Sequence, residues 1–152
     1  MPANRRRLAA VAGPAVAELD TLHGAVWELA PDPVILELCR LRVAALLGAD
    51  EAARWRSPIA VGAGLDEAKV ATLEEWHVSP YFDARERAYL DFTEQFVTSV
   101  KHVSDAQIAS LCAHDSEVDV CAFVSALYVL ELTQRVALVS ASVLRPEEEI
   151  AA

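Results

Sequence analysis

The stretch whose reading decides the fold runs from Leu36 to Ser57, LELCRLRVAALLGADEAARWRS. Together with the preceding Pro33-Val34-Ile35, its first half is apolar except for Glu37, Arg40 and Arg42. A helix formed there shows hydrophobic side chains on nearly every face and has to be buried. Proline suits the first turn of a helix, where a backbone N–H has no partner anyway, and glycine tolerates the left-handed backbone that ends one. The pattern therefore predicts a helix from Pro33 to Leu47 that stops at Gly48. The second half predicts another, over Asp50 to Val61, closed by Gly62-Ala63-Gly64.

Outward from this centre the same signals repeat. A helix from about Pro14 to Leu29 stops before Pro31-Asp32-Pro33, and a fourth begins at Asp66. Asp83 followed by Glu86 forms a capping box, ahead of Tyr89, Phe92 and Phe96 at helical spacing. Ser104 with Gln107 repeats that box before Ile108 and Leu111, and a long final helix follows Asp115-Ser116 to about Ser142. No strand-like alternation competes, so the fold class is all-α, a bundle of about six to seven helices. No linker or internal repeat divides residues 1–152, which read as one domain with flexible ends near 1–12 and 146–152.

At 152 residues and 54% hydrophobic content the chain can bury a sizeable core. A net charge of −10 excludes nucleic acid as a partner, since phosphate binding needs a basic surface. The basic run Arg5-Arg6-Arg7 reads as a solvated end. The longest strongly apolar run, Val120 to Leu130, is too short to span a bilayer, so no membrane contact is expected. Cys39, Cys112 and Cys121 are odd in number and lack C-x-x-C or metal-ligand spacing, which predicts reduced core thiols in a cytoplasmic protein. His23, His77, His102 and His114 are scattered without a ligand pattern, so neither a metal nor another cofactor is expected. Trp76, Tyr81, Phe82, Phe92 and Phe96 read as packing, and Tyr128 as core or interface.

The stretch from Leu36 to Ser57 resembles the segment of the alkylhydroperoxidase D and carboxymuconolactone decarboxylase superfamily that carries a glutamate, a Cys-x-x-Cys pair and a histidine. VSPYFDARERAYLDFTEQF, from Val78, resembles the family's middle motif. KHVSDAQIASLCAHDSEVDVCAFVSALYVLELTQRVALV, from Lys101, resembles its closing helices, with Glu131, Gln134 and Arg135 at its polar signature. The resemblance covers roughly Thr21 to Ser142 and implies a helical bundle assembled as a homo-oligomer, a trimer or hexamer. It places the glutamate at Glu37, the two cysteines at Ala49 and Ala52, and the histidine at Arg56.

Those substitutions remove the thiol chemistry. Alanine forms no thiolate, and a permanently charged guanidinium is no general base. What remains resembles the thiol-free branch of the superfamily, carboxymuconolactone decarboxylase, a cofactor-independent lyase acting on a small acidic lactone. On one helix, positions 49, 52 and 56 share a face, so Arg56 would face the pocket and could hold a ligand carboxylate with two parallel hydrogen bonds, with Glu37 handling the proton. Two readings stay open. Glu37 and Arg56 form a catalytic or small-anion site, or they are each other's ion-pair partner in a catalytically silent binding or assembly protein. Glu37 could also pair with Arg40 along its own helix, leaving Arg56 freer. Trp55, His77 and Glu131 are further candidates to line a pocket, and Glu131 with Arg135, four apart, reads as an intrahelical pair.

Overall fold

The computed structural model describes residue 10 and residues 12–143; the terminal arginine run and the ends predicted to be flexible lie wholly or largely outside them. The described residues form helices joined by turns and short 3-10 segments, with no strand among them. α1 spans Pro14–Leu29 and α2 Pro33–Leu47. Asp32 caps α2 by accepting hydrogen bonds from the Val34 and Ile35 amides, and Gly48 ends it at φ 65°, a backbone that favours glycine. Both helices fall where the proline and glycine positions predict.

The helix expected over Asp50 to Val61 is broken in two. α3 covers Asp50–Arg54 and α4 covers Pro58–Gly62, with Trp55, Arg56 and Ser57 between them. The cause is Pro58, whose ring crowds the preceding residue out of the helical region, so that Ser57 adopts φ −65°, ψ 123°. After α5, Glu67–Ala71, and a 3-10 turn at Leu73–Glu75, α6 runs from Ala84 to Ser99 behind the predicted Asp83/Glu86 capping box. A second 3-10 turn, Val100–His102, leads through the Ser104/Gln107 box into α7, Asp105–Cys112, and α8 covers Glu117–Val143.

α2 is the centre of the bundle. It packs between α6 and α8, while α1 lies along α8 and α7 along α6. Leu36, Leu38, Leu90, Tyr89, Phe123, Leu127 and Leu130 fill the space between, with Tyr89 edge-on to Phe123. By length and composition α8 could cross a membrane, but its inner face is part of this packed core. Its outer face is not: Cys121, Ser125 and Tyr128 are exposed, so the stretch Val120 to Leu130 is buried on one side only. Cys112 is exposed as well, and only Cys39 is the buried thiol expected of all three. Tyr81, expected to pack, is half exposed.

One polar clasp ties the helix starts together. The Arg85 guanidinium on α6 binds Asp115, ahead of α8, through two hydrogen bonds and reaches Asp32, the cap of α2, through a third. Tyr89 Oη donates to the same Asp115 carboxylate. The Arg85 hydrogen bonds hold Asp115 below the usual carboxylate range, while burial and Asp115 push the Tyr89 hydroxyl up.

Candidate functional site

Glu37 sits on the second turn of α2, entirely buried, and Arg40 lies one turn later at 3% exposure. Three residues apart on a helix puts both side chains on one face. The two close a bidentate ion pair, Arg40 Nε to Glu37 Oε2 at 2.7 Å and Arg40 Nη2 to Oε1 at 2.8 Å. The rest of the guanidinium is spent on backbone: Nη1 donates to the Ala52 carbonyl at 2.9 Å and Nη2 to the Trp55 carbonyl at 2.8 Å. In return the Ser57 amide donates to Glu37 Oε1 at 3.1 Å. The Gln134 side-chain amide, from α8, donates to the Arg40 carbonyl.

The non-helical residues 55–57 are what make this closure possible. A continuous helix would consume the Ala52 and Trp55 carbonyls and the Ser57 amide within itself. The break frees them, and Glu37 and Arg40 take them up. The Trp55 ring then covers Arg40 at 5.0 Å, and it leans edge-on against Trp27. Planar, delocalised guanidinium suits this combination of bidentate pairing and aromatic cover.

Arg56 does not meet Glu37. It lies beyond the end of α3, and its side chain reaches Glu67 at 3.1 and 3.4 Å and the Ala53 carbonyl at 2.7 Å. Ala49 is buried at the N-cap of α3, Ala52 is half-buried, and Arg56 is off the helix, so the face expected to unite positions 49, 52 and 56 is not formed. Of the expected pocket residues, Trp55 roofs Arg40. His77 is exposed and edge-on to Trp76. Glu131 binds Arg135 on α8, as its spacing predicts, and lines an open groove of about 580 Å³ with Tyr128 and Lys101, on the molecule's outer side. Trp55, His77 and Glu131 thus lie at three separate places.

The one thiol near this centre is Cys39, wholly buried, and burial pushes it up to about 12. At neutral pH its thiolate fraction is negligible, so it does not replace the thiols missing at 49 and 52. Among the described residues no group of His, Cys, Asp or Glu side chains is arranged to hold a metal ion. Sequence reasoning named Arg40 as one alternative but missed its backbone partners and the Gln134 contact. The signal for the former was Pro58, which forbids the helix that would have hidden those groups.

Neither a family model nor a curated protein sequence matches the chain. Solved structures do. The crystal structure of a protein of unknown function from Agrobacterium tumefaciens, suggested to be an antioxidant defence protein, AhpD, superposes with a TM-score of 0.79 over 88% of this chain and 92% of that one, at 20% sequence identity. The chain therefore has an alkylhydroperoxidase D-like helical fold.

Proposed function

We propose that this chain uses the alkylhydroperoxidase D-like fold without thiol chemistry, as a homo-oligomeric binding or assembly protein in which the glutamate of the redox site serves as a structural ion pair. The observation that carries this reading is the Glu37–Arg40 pair itself. A carboxylate that relays protons to a substrate must be reached by it, whereas this one is buried, doubly bound to a guanidinium and bound again by an amide. Alanine at 49 and 52 removes the nucleophile that such a relay would serve. The test is a peroxidase assay with organic hydroperoxides and a dithiol reductant. No turnover above the protein-free control is expected, and robust turnover abolished by thiol blocking overturns the proposal.

A second reading, action on a small carboxylated or lactone compound as in carboxymuconolactone decarboxylase, draws support from Arg56. Its ion pair with Glu67 is open to water, the Glu67 side chain being 65% exposed, so a solute carboxylate can compete for the guanidinium. Titration of small carboxylates monitored by NMR tests it: saturable shifts confined to Arg56 and its neighbours favour this reading, and their absence removes it.

A further inference from the structure

Along the outer face of α8 run Val118, Cys121, Ser125, Tyr128, Leu132 and Arg135, at alternating steps of three and four residues. This is the spacing of a coiled-coil seam. Val118 is 78% exposed, Tyr128 56%, Cys121 and Ser125 are exposed, and Leu132 is half-buried. The seam is graded in size: its first three positions, Val118, Cys121 and Ser125, are small, and its last three, Tyr128, Leu132 and Arg135, are bulky. The Ser125 hydroxyl is already satisfied by the Cys121 carbonyl at 2.8 Å, so covering it strands no donor.

We infer that this face binds a second copy of the same chain, with the two α8 helices antiparallel about a twofold axis between Ser125 and Tyr128. This inference rests on the homo-oligomeric reading and specifies its interface. Antiparallel seams layer one helix's early positions against the other's late ones, so Ser125 faces Tyr128, Cys121 faces Leu132 and Val118 faces Arg135. Each layer then joins a small side chain to a bulky one, whereas a parallel pairing sets Tyr128 on Tyr128 and Ser125 on Ser125.

Charge agrees with shape. The chain carries −10 overall, so most of its faces repel a second copy, yet from Cys121 to Leu132 the exposed seam holds no charged residue. At its ends the antiparallel register brings Arg135 beside Glu117 of the second copy, an attractive contact, and both ends benefit by symmetry. A twofold axis is compatible with a dimer or a hexamer and not with a bare cyclic trimer, so the seam also chooses between the assemblies.

The test combines light scattering with cross-linking. In a Cys112→Ser background, Leu132→Cys should give a covalent dimer under mild oxidation, through Cys121 of the other copy. The bond should be absent from the Cys112→Ser parent and from the variant that also carries Cys121→Ser. Ser125→Glu should weaken association by more than about tenfold with unchanged helical circular dichroism. A wild-type oligomer in which Leu132→Cys fails to cross-link, or in which Cys121 cross-links to Cys121, overturns the register and leaves the assembly reading standing. A stable wild-type monomer at micromolar concentration overturns both.

Discussion

Arg40 grips the Glu37 carboxylate with both a 2.7 Å and a 2.8 Å hydrogen bond while binding two carbonyls of the chain twelve and fifteen residues downstream. This makes the ion pair a structural fastener between α2 and the connection from α3 to α4. Removing its cation strands the buried carboxylate and takes the side-chain donor from the Ala52 carbonyl, while the Trp55 carbonyl keeps the hydrogen bond from Arg56 Nη1.

Arg40→Ala is therefore expected to cost on the order of 3–5 kcal/mol of unfolding free energy, as is typical when one partner of a buried pair is deleted. Arg40→Lys should recover only part of it, since a lysine lacks the planar fork that serves all four acceptors. Arg56→Ala, whose pair with Glu67 faces water, should cost no more than about 1 kcal/mol. Urea denaturation of the three variants checks the order, and equal losses at positions 40 and 56 would contradict it.

Ser57 separates backbone from side chain. Its amide binds Glu37, whereas its buried Oγ has no hydrogen-bond partner among the described residues. Ser57→Ala should change stability by less than about 1 kcal/mol in either direction, because no hydrogen bond is lost. Ser57→Pro deletes the donor and should be clearly destabilising. The comparison is made by thermal melts followed by circular dichroism.

Alkali should loosen the core through two groups whose folded values are raised. Cys39 goes from 9.0 to about 12, chiefly by burial, and Tyr89 also rises above its ordinary 10.0. For both, the neutral form is favoured by folding, so their contribution is intact below the unfolded value and is lost as pH climbs toward the folded one. Stability should fall from about pH 9 upward, and Cys39→Ala, though less stable at neutral pH, should show a shallower fall. A pH series of denaturation midpoints with parallel slopes for the two proteins would refute this.

Acid acts on the helix-start clasp with the opposite sign. Asp115 is held below 3.8, first by the hydrogen bonds from Arg85, so its stabilising contribution is present above that pH. It is lost as pH drops through the folded value. Arg85→Gln should be less stable than the parent at pH 7, with the gap closing below pH 4.

Much of the bundle was legible because its punctuation is local. Pro14, Pro33 and Gly48, and the Asp83/Glu86 and Ser104/Gln107 boxes, each fix a helix end within a few residues of themselves, and those ends match. The centre of the site was less legible. The spacing from Glu37 to Arg56 suggested a pair, but that inference assumed a helix through Pro58, and the break turns Arg56 outward to Glu67. The carbonyls of Ala52 and Trp55 carry no side-chain signature at all, so no reading of residue types could have named them as the partners of Arg40.

The Ser57 amide gives the break a further consequence. An N–H between two five-residue helices ordinarily exchanges its hydrogen with water through small local fluctuations. This one is bound to the buried Glu37 carboxylate on the second turn of α2, which Arg40 grips from the other side. Its exchange should wait for the same opening that frees α2, and its protection should approach that of the Leu36 and Leu38 amides rather than that of its neighbours in α3. A single loop proton thus reports when the centre of the bundle comes apart.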